Sequence, residues 1–162
     1  MENENKNHPL IQIASFLLIL LWIYAALSKL TDLETFSKQL NNQVFPKAMT
    51  PVLLIGIPAI EIAAAGLLLT NRYKKTGLWL SALLMSAFTI YIALVLTGIF
   101  NRVPCSCGGV LSKMGWEPHL YFNLFFLSLS LLGIYRYRAT AKESRPSKNR
   151  LNRRTTDRLH RL

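Results

Sequence analysis

The sequence predicts an all-α integral membrane protein, a bundle of four transmembrane helices whose N- and C-termini are both cytoplasmic. Hydrophobic residues make up 51% of the 162 residues, and charged residues make up only 17%. The apolar residues form four long runs instead of the single stripe that a soluble helix presents to its core. Strands are excluded from such runs, because an open sheet edge leaves backbone polar groups unsatisfied in lipid.

The four apolar runs divide the chain. Three of them reach the roughly 20 residues that cross a hydrocarbon core, and together the runs cover residues 10–30, 51–70, 77–100 and 119–137. The first run is expected to be a retained helix, because no positively charged segment precedes it and no small-residue cleavage site follows it. We therefore predict a cytoplasmic N-terminus over residues 1–9, a four-helix transmembrane domain over residues 10–137, and a basic, disordered cytoplasmic tail over residues 138–162.

The segment after the first run predicts a short amphipathic helix. Leu33, Phe36 and Leu40 recur there at helical spacing. Such a helix is able to lie on the outer membrane surface with its apolar face in the lipid.

Positive charge is concentrated on one side of the predicted membrane. The net charge is +11, and the chain from Arg136 onward holds ten Lys or Arg residues. Three more basic residues lie in the connection between the second and third runs. The positive-inside rule makes these segments cytoplasmic, so the connection at residues 101–118 is external. The tail is expected to bind anionic lipids. It is not expected to bind nucleic acid, because no aromatic residues interleave with its arginines.

Both cysteines of the chain lie in the external connection, in the stretch VPCSCGG. Cys105 and Cys107 are able to close a disulfide, because Gly108 and Gly109 give the backbone the freedom to bend. A ring this small departs from relaxed disulfide geometry and should be easily reduced. The pair therefore predicts a redox centre. A soft-metal site for Cu(I) or Zn(II) that includes His119 and a structural or incidental pair are the alternatives.

Three residues at the start of the fourth run are candidates for the same site. His119 and Asn123 are one helical turn apart and share a face, and Trp116 precedes them. A histidine at this depth is able to hold a proton, to lower the pKa of a thiol or to bond a quinone oxygen. The alternatives are a helix cap for His119 and an interfacial aromatic belt for Trp116.

Glu61 is the only acidic residue well inside an apolar run. An ionisable group there is costly and normally faces the interior of the bundle, which makes it a functional candidate. It is expected to be either protonated or paired with Lys29 at the outer end of the first helix. A polar clamp between helices is the structural alternative. Thr89 and Tyr91 are further candidates for the same interior.

Several segments together resemble the methylamine utilisation protein MauE family, which is related to DoxX-like four-helix membrane proteins. They are SKLTDLETF, PAIE, FTIYIALVLTG and PCSCGGVLSKMGWEPHLYFN, and the likeness covers residues 10–137. The Cys-x-Cys-Gly stretch followed by Trp, His and Asn is its most specific part. Gly108 departs from the pattern, because many members have an aromatic residue between Cys and Gly.

The resemblance implies a bacterial inner-membrane bundle similar in layout to vitamin K epoxide reductase, with a thioredoxin-like partner on the periplasmic side. By motif match, Cys105 and Cys107 correspond to the thiol pair of the family. Further family-like positions are Ser28, Lys29, Glu61, Trp116, His119 and Asn123.

The expected function is thiol–disulfide exchange that supports disulfide formation or maturation of exported proteins, with a membrane quinone as a possible cofactor. Cys105, Cys107 and His119 are the predicted catalytic residues. The predicted cofactor-binding residues are Glu61, Trp116 and Asn123. The alternatives are a non-catalytic membrane assembly or anchor subunit and a protein that handles soft metals.

Overall fold

The computed structural model describes residues 9–43, 46–99 and 116–159, without the side chains of Trp116 and of residues 140–159. These residues form five α-helices and one short 3-10 helix. In chain order they are α1 (Pro9–Leu30), α2 (Leu33–Asn41), the 3-10 helix (Lys47–Met49), α3 (Thr50–Leu69), α4 (Lys74–Leu96) and α5 (Trp116–Leu159).

Four helical segments are long and apolar enough to cross a membrane, which confirms the predicted fold class. The spans are Pro9–Leu30, Lys47–Leu69, Lys74–Leu96 and Glu117–Ala139. They match the four apolar runs to within four residues at each end. α5 continues to Leu159 without a break, so no helix end marks the boundary predicted between the bundle and the tail. That domain division remains a prediction.

The four spanning helices pack in a ring, each against two neighbours. α1 contacts α3, α3 contacts α4, α4 contacts α5, and α5 returns to α1. The core between them includes Leu18, Trp22, Leu68, Leu78 and Met85. Large apolar side chains also cover the outside, among them Phe16, Val52, Ile55, Leu83 and Ile90. A helix that is apolar all round suits a bundle whose solvent is lipid.

α3 and α4 approach each other closely at Gly77. A Cβ atom placed on this glycine would lie 2.9 Å from the backbone nitrogen of Leu68 and 2.9 Å from its Cγ. In lipid, helices associate through close packing, and small residues allow the backbones to approach. Gly77 is therefore the residue that permits the tight α3–α4 hairpin.

Replacement of Gly77 by alanine is expected to lower the free energy of unfolding by about 1–3 kcal/mol, the usual cost of an overpacked contact. Gly66→Ala is the matched control, since a Cβ there meets nothing within 4 Å. Unfolding in mixed micelles with increasing sodium dodecyl sulfate measures both. Equal stability of the two variants would show that the close approach is not required.

α2 caps one end of the bundle. The carboxylate of Asp32 accepts a hydrogen bond from the backbone N–H of Thr35 at 3.0 Å. This bond stabilises the start of α2 and holds the pKa of Asp32 below its usual value. Phe36 and Leu40 are 3% and 5% exposed. The placement of their apolar face in the membrane surface was therefore wrong, because both side chains pack into the bundle.

Candidate functional site

One end of the bundle, called the loop end here, gathers the candidate residues. α1 and α4 finish at the loop end, and α3 and α5 begin there. α4 terminates just before Gly98, whose φ of 70° lies in the left-handed region that favours glycine. The connection from α4 to α5 therefore leaves from the loop end and returns to it. This connection carries Cys105 and Cys107, which lie outside the described residues.

An interior cavity of about 360 Å³ opens below the loop end. Its volume falls within the range of small-molecule and cofactor sites in proteins. The lining is mostly apolar and rich in rings, with Trp22, Tyr24, Phe36, Phe88, Tyr91 and Phe122 among its members. All four spanning helices and α2 contribute to it. The lining therefore suits an apolar ligand.

An ion pair between α1 and α3 forms one wall of the cavity. The Nζ of Lys29 donates to Oε1 of Glu61 at 2.8 Å and to the carbonyl oxygen of Ala25 at 3.1 Å. It also lies 5.9 Å from the ring centroid of Phe36. Lys29 and Glu61 are 9% and 1% exposed. The structure confirms that Lys29 and Glu61 lie in contact, as the predicted pairing requires.

Two buried polar atoms beside this pair lack a hydrogen-bond partner within the described part of the chain. They are Oε2 of Glu61 and Nδ2 of Asn123. Both residues line the interior cavity. An unsatisfied buried donor or acceptor costs about 1–3 kcal/mol, so native proteins seldom retain one without a reason. These two atoms mark where a polar group of a ligand would bind.

The prediction that His119 and Asn123 share a face is confirmed. Both side chains line the interior cavity from the first turns of α5. His119 is half-buried, and Lys29 lies near enough to act on it electrostatically. Trp116 is the first residue of α5, and its side chain lies outside the described residues. Its predicted contact with a cofactor therefore remains a prediction.

A further polar contact, which the sequence did not predict, joins the residues after α2 to α4. The hydroxyl of Tyr91 donates to Oε1 of Gln43. Gln43 follows α2, is only 3% exposed and lines the cavity together with Tyr91. Tyr91 therefore faces the interior as predicted. Thr89 instead donates to the carbonyl oxygen of Met85 at 2.7 Å and is not part of the lining.

Some of the residues that line the cavity are also exposed on the outside of the bundle. Ile60 of α3 and Ala87 of α4 line it while remaining exposed on the outside. Exposed positions in a spanning segment face hydrocarbon. From these two residues we infer an opening of the interior cavity towards lipid.

Metal ligation finds no support in the described residues, where no three His, Cys, Asp or Glu side chains come together. The two cysteines of the soft-metal alternative lie outside that part of the chain. His119 and Glu61 share the cavity wall with Lys29, whose ammonium group does not bind metals.

Fold and site together define a multi-pass helical membrane protein with an apolar internal cavity and a polar cluster at one end. The family model for methylamine utilisation protein MauE matches residues 7–136. The chain belongs to the MauE family, as the resemblance indicated. Neither a curated protein nor a solved structure matches the chain.

Proposed function

We propose that this MauE-family protein is a thiol–disulfide redox protein of the bacterial inner membrane. Cys105 and Cys107 exchange a disulfide with a thioredoxin-like protein on the periplasmic side, in support of disulfide formation or maturation of exported proteins. The observation that carries the proposal is the buried polar cluster around the interior cavity, at the end of the bundle from which the cysteine connection departs. A bundle that served only as an anchor would not need two unsatisfied buried polar atoms there.

The exchange step conserves atoms and electrons. A thiolate of the reduced partner attacks the sulfur of Cys105 in the Cys105–Cys107 disulfide, and Cys107 leaves as a thiolate. The second thiolate of the partner then attacks the partner's sulfur atom in the mixed disulfide, and Cys105 leaves as a thiolate. The partner is oxidised by two electrons, and the Cys105–Cys107 pair is reduced and takes up two protons. The assignment of Cys105 to the partner follows from its position nearer the start of the connection.

The residues around the interior cavity fit a membrane quinone. The cavity has the volume and ring-rich lining that a quinone head requires, and it is open to lipid, where quinones reside. Nδ2 of Asn123 is an available donor for a ring oxygen, and Glu61 lines the same wall. Trp116 would complete the contacts from the start of α5. A bound quinone supplies a two-electron, two-proton acceptor that restores the disulfide.

His119 is the candidate proton carrier. Its imidazole lines the cavity at the first turn of α5, the helix that follows the cysteine connection in the sequence. An imidazole titrates near neutral pH, so it is able to accept the proton that a thiol releases. We propose that His119 activates the thiol for attack and passes its proton into the cavity.

The Lys29–Glu61 ion pair favours a second candidate, a non-catalytic assembly or anchor subunit. The pair joins α1 to α3 and serves as a polar clamp in any bundle, with or without chemistry. In that case the cysteines only stabilise their connection.

Trapping of a mixed disulfide tests the proposed exchange. In the reverse direction of this exchange, the Cys105 thiolate attacks the disulfide of an oxidised partner, and Cys107 would then release that partner. Cys107→Ser removes the releasing thiol, so a covalent complex with a thioredoxin-like protein should accumulate. Mass spectrometry of the complex, isolated under acidic quenching, identifies the partner. Cys105→Ser is the matched control and should capture less. The proposal fails if neither variant captures a thioredoxin-like protein and the wild-type thiols never change redox state in cells.

A further inference from the structure

The two unsatisfied atoms in the interior cavity differ in hydrogen-bonding character. Nδ2 of Asn123 is a donor only. Oε2 of Glu61 belongs to a carboxylate whose other oxygen is ion-paired with Lys29 at 2.8 Å. An ionised carboxylate accepts hydrogen bonds and donates none. A ligand that satisfies both atoms must therefore offer one acceptor and one O–H or N–H donor.

The two redox forms of a quinone meet this requirement unequally. The oxidised form carries two carbonyl oxygens, which are acceptors, so it is able to satisfy Asn123 and leaves Glu61 unpaired. The reduced form carries hydroxyl groups, each of which both donates and accepts. It is able to satisfy Asn123 with an oxygen lone pair and Glu61 with an O–H. A hydrogen bond to a charged group is among the stronger ones in proteins.

We infer that Glu61 and Asn123 make the interior cavity selective for the reduced, hydroxyl-bearing form of a membrane quinone. A site that binds the reduced form more tightly raises the reduction potential of the bound couple by linkage. The bound quinone is then a stronger oxidant than the quinone free in the bilayer. The inference rests on the proposed function only for the source of the electrons. The binding preference itself depends on the residues that line the cavity.

The preference favours one direction of the proposed redox reaction. Two thiols, Cys105 and Cys107, give up two electrons and two protons and form a disulfide, and one quinone becomes one quinol. Electrons therefore run from the exported client through the partner and the thiol pair into the membrane. The lateral opening beside Ile60 and Ala87 lets the lipid tail of the ligand remain in the bilayer.

Equilibrium binding tests the selectivity without turnover. The full chain carrying Cys105→Ser and Cys107→Ser is placed in lipid nanodiscs and titrated anaerobically with a decyl-substituted benzoquinone or its quinol. The quinol should bind about tenfold more tightly than the quinone, the effect of one added hydrogen bond. The dimethyl ether of the quinol keeps the ring and tail but has no hydroxyl donor, so it should lose this advantage.

Variants assign the preference to its two residues. Glu61→Gln should abolish the difference between quinol and quinone, because an amide is able to donate as well as accept. Asn123→Leu should weaken both forms by a similar factor of about ten. Ser130→Ala is the matched control on α5, because the Ser130 hydroxyl donates to its own helix, at the carbonyl oxygen of Phe126, outside the cavity lining. It should leave both affinities unchanged.

Equal affinity for quinol, quinone and dimethyl ether overturns the inference, and so does tighter binding of the quinone. The comparison of the three ligands needs no cavity variant, so it holds even if Glu61→Gln fails to fold. A quinol preference without any captured thioredoxin-like partner would instead overturn the proposed exchange and keep the binding site. Capture of a partner without quinol binding would overturn the inferred binding site and keep the proposed exchange.

Discussion

Replacement of Lys29 by methionine is expected to lower the free energy of unfolding by about 3–5 kcal/mol, the usual cost of removing one partner of a buried ion pair. Glu61 is 1% exposed, and its carboxylate accepts a hydrogen bond from Lys29 at 2.8 Å. Methionine fills similar space but leaves a carboxylate without its counter-charge in the bundle. Denaturation in mixed micelles with sodium dodecyl sulfate measures the change.

Two further variants separate charge from packing at this pair. Lys29→Met combined with Glu61→Leu removes both charges and should recover most of the lost stability, because a hydrophobic pair of similar volume is often as stable as the ion pair. Lys29→Arg keeps the positive charge and should cost less than methionine. If the double variant is as unstable as Lys29→Met alone, the loss comes from packing at α1 and not from an uncompensated charge.

Replacement of either cysteine by serine is expected to reduce thiol–disulfide exchange by at least about a hundredfold. The second thiol of a pair acts intramolecularly, at an effective concentration that no free thiol in solution matches. The redox state of exported thiols, followed by alkylation and gel shift, measures the loss. Cys105→Ser and Cys107→Ser should each be as impaired as the double variant.

Ser106→Ala provides the matched control, because it changes the residue between the two cysteines and leaves both thiols in place. Its exchange activity should stay close to that of the wild type. Membrane abundance should be equal in all variants, since a disulfide that closes so short a loop adds little stability. A fall in abundance that parallels the loss of activity would favour the anchor role for the cysteines.

The spanning helices were predictable because hydrophobic length alone specifies them. A helix of about 20 apolar residues spans the bilayer at any rotation about its own axis. For the same reason, the sequence did not indicate which side of α1 faces the core. Trp22 is 1% exposed and donates through its indole nitrogen to the Ser81 hydroxyl at 2.9 Å, whereas Phe16 on the same helix is 61% exposed. Both sides of α1 are equally apolar in the sequence, so hydropathy does not distinguish the buried side from the exposed side.

The candidate site was predictable where charge forced a partner. A carboxylate within lipid requires a nearby cation, so Glu61 pointed to Lys29. Helical spacing in turn placed His119 and Asn123 on one face. The role of α2 was missed, because an amphipathic helix buries the same apolar face against lipid or against protein. Gln43 was missed because its contact with Tyr91 joins residues 48 positions apart in the sequence.

The ion pair between α1 and α3 also bears on how the chain enters the membrane. An ionised side chain at the centre of a lone helix opposes insertion by about 2.5–3.5 kcal/mol. Glu61 lies midway along α3, and its partner Lys29 belongs to a helix synthesised earlier. α3 is therefore expected to leave the translocon beside α1 and not alone. In this way a single buried contact fixes which two helices assemble first while the ribosome is still translating the rest.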